Sequence, residues 1–193
     1  MNAYDFDKTI YPADSATDFW LFVCRRHPRA AESLLRAAPA AARRLTGRLS
    51  RGELKAALYS CLALLDDPLA EARLFWDGHI HRIYPWYWRQ KRPDDLIISA
   101  SPEFLVGEAC RRLNTAFIAT DMDPHTGVIR GENCRGEEKV RRYRLAYGDA
   151  PVEAFYSDSL SDRPMMELAG TGYLVKKGRI ARRLDFTKGE GDR

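Results

Sequence analysis

The chain has 193 residues, of which 45% are hydrophobic, and its formal net charge is +4. This length allows a sizeable core, either as one domain or as a core with an inserted module. No apolar run is long enough to span a bilayer, Asp5 and Asp7 interrupt any signal peptide, and the modest charge argues against nucleic-acid binding. Four scattered cysteines lack metal-ligand spacing, which favours reduced thiols over disulfides. We therefore expect a soluble, cytoplasmic protein with no nucleic-acid partner.

The chain opens with a predicted strand at residues 2–6 that carries two closely spaced carboxylates, Asp5 and Asp7. Side chains of an extended chain alternate with period two, so both carboxylates are expected to project from the same face. Such a pair is costly unless a cation lies between the two groups, and hard divalent ions take oxygen ligands. The pattern therefore suggests a metal site, although a surface turn explains it as well.

Residues 14–92 have a helical pattern and an excess of basic side chains. Apolar residues recur at helical spacing, and Asp66-Asp67-Pro68 is typical of a helix start. The segment holds 14 Lys and Arg against 8 Asp and Glu, so it could attract an anionic substrate or an acidic lipid surface, although a solvated helix face is the simplest explanation. Its aromatic residues are expected to pack rather than bind a ligand, and His79 with His81 lacks further ligands for a metal site. We predict a helical bundle inserted after the first strand.

After residue 92 the pattern changes to alternating strands and helices. Strands are predicted at residues 94–99, 115–120, 152–156 and 172–175, and the last of these is expected to be the final strand. Ser101 is expected to cap a helix that has Pro102 at its first position. Ser99 would then lie at a strand–helix junction, where its hydroxyl and nearby backbone N–H groups can hold a phosphate. This alternation predicts an α/β fold with a parallel sheet and helices on both faces.

One segment resembles a calcium-binding loop. Its candidate ligands fall at positions of the EF-hand template and are Asp121, Asp123, His125 and Glu132. However, Thr126 stands where the template requires glycine, and no apolar-rich helices flank the loop. Thr126-Gly127 fits the tip of a β-hairpin better. We therefore predict a hairpin here and no calcium site.

Four motifs in chain order resemble those of the haloacid dehalogenase-like hydrolase superfamily. The first resembles Asp-x-Asp-x-Thr, the second is an apolar strand ending in Ser, the third supplies a lysine and the fourth is acidic. In this chain they are Asp5-Phe6-Asp7-Lys8-Thr9, Leu96-Ile97-Ile98-Ser99, Gly136-Glu137-Glu138-Lys139 and Asp158-Ser159-Leu160-Ser161-Asp162. Together they span nearly the whole chain, which makes chance a poor explanation.

The resemblance implies a Rossmann-like core of residues 1–13 and 93–193, with residues 14–92 inserted as a helical cap, as in the phosphoserine-phosphatase-like subgroup. It implies that Asp5 attacks phosphorus to form an aspartyl-phosphate, and that Asp7 acts as general acid and base. The remaining implied roles are phosphate binding by Thr9, Ser99, Ala100 and Lys139, and Mg²⁺ binding by Asp5, the Asp7 carbonyl and Asp158, with Asp162 in support.

Three positions depart from the usual motifs: Lys8 replaces a small residue, Ser157 replaces glycine, and Ser161 replaces the asparagine of phosphoserine phosphatases. These changes retain the carboxylates but weaken any inference about the substrate. We expect a magnesium-dependent phosphatase acting on a small phosphometabolite, with phosphoserine as one candidate. The alternatives are a lipid-head-group phosphatase that binds an anionic lipid surface through its basic segment, and a regulatory binding module without turnover.

Overall fold

The computed structural model describes residues 1–31 and 59–187. In this part of the chain a six-stranded sheet has the order β3-β2-β1-β4-β5-β6. Its strands are β1 Asn2–Tyr4, β2 Leu96–Pro102, β3 Ala116–Thr120, β4 Ala154–Ser157, β5 Thr171–Lys176 and β6 Arg179–Asp185. The α-helices are α1 Ser15–Arg26, α2 Pro68–His79, α3 Pro85–Gln90, α4 Glu103–Leu113, α5 Glu137–Tyr147 and α6 Arg163–Ala169. Strands β1 to β5 pair in parallel and only the β5–β6 pair is antiparallel, so the predicted α/β class is confirmed.

The sheet separates two buried clusters because alternate strand residues face opposite sides. Tyr4 and Tyr156 belong to the cluster that includes residues of α1, α2 and α4. Ala3 and Phe155, their direct neighbours in sequence, belong to the cluster that includes residues of α5 and α6. Helices therefore cover both faces, as predicted.

The helices between β1 and β2 pack directly onto the sheet. Trp76 of α2 donates its indole N–H to the Leu105 carbonyl of α4 at 2.8 Å, and its ring meets the Phe6 ring edge-on. The described part of residues 14–92 thus shares one buried core with the sheet, and its aromatic residues serve largely in packing. The domain boundaries remain a prediction, and residues 32–58 of the basic segment lie outside the described residues.

β1 is shorter than predicted. It ends at Tyr4, because the chain then turns so that the backbone N–H groups of Thr9, Ile10 and Tyr11 all donate to the Phe6 carbonyl. Asp5 and Asp7 therefore reach their positions through a tight loop and not through the alternation of an extended strand.

β2 begins two residues later and ends three residues later than predicted, and Ser99 lies inside it instead of at its end. The strand continues to Pro102, and the next helix begins at Glu103. The expected Ser101 cap is therefore wrong: Pro102 occupies the N-cap position, and no side-chain hydrogen bond caps the helix.

β6 was missed, and β5 is not the last strand. Most side chains of β6 are exposed, so its sequence lacks the apolar alternation by which a half-buried strand is recognised. The β5–β6 connection turns at Lys177 and Gly178, both with positive φ.

Residues 121–130 form the predicted hairpin. Met122 and Ile129 make an antiparallel bridge, and the N–H of Asp123 donates to the Val128 carbonyl at 2.9 Å. Gly127 at the tip has φ 71°, a conformation that glycine adopts without steric cost. All four cysteines are free, and within the described ranges no helix has the length and apolarity needed to cross a membrane.

Candidate active site

The carboxyl ends of parallel strands meet at one edge of the sheet, where open α/β folds bind ligands. Asp5 follows β1 directly, Asp158 follows β4, and Ser101 lies near the end of β2. A pocket of about 220 Å³ opens there. Its described lining residues are Asp5, Asp7, Lys8, Asp14, Ala100, Asn133, Arg135, Lys139, Asp158, Ser159, Ser161 and Asp162.

Lys139 links two of the carboxylates. Its Nζ donates to Asp5 Oδ1 at 2.7 Å and to Asp162 Oδ2 at 2.8 Å, and the lysine is only 1% exposed. The residue lies in the first turn of α5. Asp162 Oδ2 also accepts a hydrogen bond from Ser157 Oγ at 2.8 Å. The lysine is therefore a buried structural and electrostatic centre and not an exposed helix residue.

Burial and neighbouring charge set the protonation of this cluster. Burial raises the pKa of Asp5 to about 7, even though the Lys139 ammonium acts in the opposite direction, and the Asp162 and Asp7 carboxylates add to the rise. Burial disfavours the charged form of Lys139, but the two carboxylates outweigh that effect and its pKa lies above its usual value. Burial also raises the pKa of Asp158. Carboxylates thus outnumber the cationic groups here, which favours an additional cation.

Two hydrogen bonds hold the carboxylate of Asp7. Its Oδ1 accepts from the backbone N–H of Ser15, at the start of α1, at 2.8 Å. Its Oδ2 accepts a short hydrogen bond from Ser101 Oγ. Ser101, expected to be only a helix cap, therefore helps to orient Asp7 at the pocket wall.

Thr9 joins the first and fourth motifs. Its hydroxyl donates to Asp5 Oδ2 at 3.2 Å and accepts from the backbone N–H of Asp158 at 2.9 Å. The carbonyl of Asp158 in turn accepts from Lys176 Nζ. These contacts couple the two acidic loops across neighbouring strands β1 and β4.

The structure brings most of the predicted site residues to one pocket. Those in the wall are Asp5, Asp7, Ala100, Lys139, Asp158 and Asp162. Thr9 and Ser99 are buried and lie outside the described lining residues. Ser99 Oγ accepts from the N–H of Ser101 at 3.0 Å, so that N–H is engaged with the protein and is not open to a phosphate.

Several lining residues had no signal in the sequence. Asp14 accepts from the Thr17 N–H at 2.8 Å, the bond of a helix cap, which predicts the start of α1 but not its place at the pocket. Asn133 and Arg135 belong to the loop between the hairpin and α5. Only the tertiary fold brings that loop to the end of β1.

In the described part of the chain, no group of three or more His, Cys, Asp or Glu side chains is arranged to hold a metal ion. His79 stacks on Phe75 with ring centroids 4.1 Å apart, and its Nδ1 lies 2.7 Å from the Phe75 carbonyl oxygen. His79 therefore packs against the side chain of Phe75 on the preceding turn of α2.

The chain is similar in sequence to a family profile and to several known proteins. The profile of the haloacid dehalogenase-like hydrolase family matches residues 3–167. Protein CicA of Caulobacter vibrioides is 31% identical over 197 aligned residues, which cover 93% of this chain and 87% of CicA. A probable phosphatase of Mycobacterium tuberculosis is 36% identical over 104 residues, covering 50% of this chain and 36% of that protein.

Solved structures share the fold. A Bordetella pertussis protein of unknown function has a TM-score of 0.71 at 21% identity, covering 90% of this chain and 88% of that one. A phosphoserine phosphohydrolase-like protein of Francisella tularensis has a TM-score of 0.52 at 16% identity, covering 90% and 87% of the two chains.

Proposed function

The chain belongs to the haloacid dehalogenase-like hydrolase family, and we propose that within it the protein is a magnesium-dependent phosphatase acting on a small phosphomonoester. The expectation of an enzyme is thereby confirmed at the level of a hydrolase of this family. One observation carries the proposal: the first-motif Asp5 is buried against the third-motif Lys139, and both line one pocket with Asp7 and Asp158.

Asp5 is the proposed nucleophile. Thr9 and Lys139 each hold one of its carboxylate oxygens, so the side chain is oriented before substrate arrives. Its attack on phosphorus would form an aspartyl-phosphate and release the alcohol. Lys139 would then lie beside the transferring phosphoryl group, whose charge is spread over its equatorial oxygens. Such preorganised charge is often the largest contribution to catalysis.

Asp7 is the proposed general acid and base. It would protonate the leaving oxygen in the first half-reaction and take a proton from water in the second. Ser101 and the Ser15 N–H hold its carboxylate at the pocket wall. Its position therefore does not depend on contacts with the substrate.

The residues fit a magnesium ion. The proposed ligands are the carboxylates of Asp5 and Asp158 and the backbone carbonyl of Asp7, all oxygen donors of the kind Mg²⁺ takes. This set contains only two carboxylate side chains, so it does not require a group of three His, Cys, Asp or Glu side chains arranged around a metal, of which the described residues contain none. Burial raises the pKa of both carboxyl groups, an effect that a nearby cation would oppose. When bound, the ion would neutralise charge on the phosphoryl group.

The substrate class is proposed from the family alone. The Francisella protein is described as phosphoserine phosphohydrolase-like, which keeps phosphoserine as one candidate. The lipid-phosphatase alternative rests on the basic segment of residues 14–92, and residues 32–58 of that segment lie outside the described residues.

The test is hydrolysis of p-nitrophenyl phosphate by purified protein with magnesium and with excess chelator. We expect release of p-nitrophenol that requires the metal. Asp158→Asn should raise the magnesium concentration for half-maximal rate by ~10–100-fold, the cost typical of damage to a metal site. Lys177→Ala, a change at an exposed turn, is the control. Metal-independent hydrolysis, or no hydrolysis of this or any tested ester by folded protein, would reject the proposal.

A further inference from the structure

The pocket contains three cationic side chains, and their environments differ. Described residues lining the pocket include five aspartates together with Lys8, Arg135 and Lys139. Lys139 is paired with two of the aspartates. In the described ranges neither Lys8 nor Arg135 has a carboxylate partner within 4.0 Å. A cation that faces several carboxylates without pairing is available to a substrate anion.

Lys8 and Arg135 also differ in their place in the fold and in their chemistry. Lys8 lies between Asp7 and Thr9 in the first-motif loop, whereas Arg135 lies in the loop between the hairpin and α5. Of the three cations that line the pocket among the described residues, Arg135 is the one with a planar guanidinium, which can bind an anion through two parallel hydrogen bonds.

The loop that carries Arg135 is fixed relative to Lys139. The N–H of Arg135 donates to the Asn133 carbonyl at 2.7 Å, and the Arg135 carbonyl accepts from Glu138 at the start of α5. Gly136 has φ 58°, and a Cβ there would lie 3.3 Å from the Ser161 carbonyl oxygen. The loop thus abuts the fourth-motif turn, and Arg135 is attached to the same helix start as the phosphate-binding lysine.

We propose that Arg135 is a specificity-determining residue that binds a second anionic group on the substrate, so that the preferred substrates are phosphomonoesters carrying a carboxylate or a second phosphate near the ester. This inference rests on the proposed phosphatase function. The planar guanidinium matches either anion with two parallel hydrogen bonds. A substrate with a neutral leaving group gains nothing from Arg135.

The test compares three esters with two-carbon leaving groups: ethyl phosphate, which has no second anion, phosphoglycolate, which adds a carboxylate, and ethanediol bisphosphate, which adds a phosphate. The wild-type enzyme should prefer one or both of the last two. Arg135→Ala should raise KM for the preferred ester by ~10–100-fold, the loss expected for a charge-assisted hydrogen-bonded pair. Its activity on ethyl phosphate and p-nitrophenyl phosphate should stay within about twofold of wild type.

Two variants serve as controls. Arg135→Lys retains the charge without the fork geometry and should recover part of the lost KM. Arg130→Ala removes an exposed arginine that pairs with Asp123 on the nearby hairpin, and it should leave all substrates unchanged. Circular dichroism and thermal melting confirm that each variant is folded.

The outcomes separate this inference from the proposed function. Equal losses on all esters would make Arg135 a residue of general catalysis or folding and overturn the inference, as would a wild-type enzyme indifferent to the second anion. If no ester is hydrolysed, the phosphatase proposal fails. In that case calorimetric titration of wild type and Arg135→Ala with phosphoglycolate and ethyl phosphate decides the inference, which stands only if the arginine selectively strengthens binding of the first. A response confined to one of the two dianionic esters identifies the anion.

Discussion

The spacing Asp-x-Asp occurs at Asp5–Asp7 and again at Asp121–Asp123, each time directly after a parallel strand. The first pair follows the central strand β1, flanked by β2 and β4, whereas the second follows β3 at the sheet edge. Loops from both neighbouring strands therefore surround the first pair. The second pair is left to bond within its own hairpin.

The surroundings shift the pKa values of Asp5 and Asp123 in opposite directions. Asp5 shares a buried ammonium with Asp162, and burial raises its pKa to about 7. Asp123 accepts backbone N–H bonds from His125 and Thr126, and these lower its pKa. Its cation, Arg130, is 61% exposed. The same Asp-x-Asp spacing thus gives a candidate nucleophile at Asp5 and a turn at Asp123, because the groups that surround the two pairs in the fold differ.

The largest expected effect is on turnover. Asp5→Asn removes the proposed nucleophile and should lower kcat on p-nitrophenyl phosphate by ~10³-fold or more, whereas Asp121→Asn should leave it within about twofold of wild type. Steady-state rates at saturating magnesium measure both. Wild-type turnover by the Asp5 variant would sink the covalent scheme.

Lys139, which pairs with Asp5, and Arg130, which pairs with Asp123, should differ in how much they stabilise the fold. Lys139→Met leaves two carboxylates buried without their partner and should lower the free energy of unfolding by ~3–5 kcal/mol. Arg130→Met removes an exposed pair worth less than about 1 kcal/mol. Urea unfolding in chelator, where no metal replaces the ammonium, compares them. Equal losses in the free energy of unfolding would contradict this prediction.

Asp7 and Asp123, the second aspartates of the two pairs, should differ in their effect on release of the leaving group. Asp7→Asn should slow hydrolysis of ethyl phosphate by ~10²–10⁴-fold, the usual contribution of a general acid. The loss on p-nitrophenyl phosphate should be smaller because nitrophenolate leaves without a proton. Asp123→Asn should slow neither ester. Equal losses on both esters in the Asp7 variant would exclude an acid role in the first step.

The smallest expected effect is on the pH dependence of stability in metal-free protein. The pKa of Asp5 is raised in the folded state from 3.8 to about 7, so its contribution is complete below the unfolded value and is lost as pH rises through about 7. Asp5→Asn should therefore flatten the decline in stability between about pH 4 and about pH 7.

The pH dependence of stability expected from Asp123 has the opposite sign. Its pKa is lowered, so its contribution is present above the unfolded value and is lost as pH falls through the folded value. Asp123→Asn should change stability at neutral pH and lose that effect in acid. Urea midpoints across the pH range measure both variants, and parallel profiles would contradict the comparison.

Order along the chain was enough to choose between the two pairs. Only Asp5–Asp7 is followed by Ser99, Lys139 and Asp158 in the sequence expected of the family, and the structure brings Lys139 and Asp158 to the same pocket. The sequence also predicted the hairpin from Thr126-Gly127. Turns of this kind can be predicted from the sequence because they depend on a few adjacent residues.

Contacts across the sheet were not predictable. In the sequence Ser101 resembles a helix cap. In the structure it lies at the bulged end of β2, and its hydroxyl donates to Asp7. β6 has almost no buried side chain, so its only strong determinant is the ladder with β5. These features depend on partners distant in sequence.

By itself the sequence determined the alternation of strands and helices, the family and the carboxylates proposed to carry the chemistry, because each leaves a local pattern of periodicity or motif. Only the tertiary structure decided which cations those carboxylates meet and that Arg135 stands at the pocket without a carboxylate partner among the described residues. The physical reason is that the pKa of a side chain and its hydrogen-bonding capacity depend on burial and on neighbouring groups. The fold brings these groups together from segments more than a hundred residues apart, as in the pair of Asp5 and Lys139.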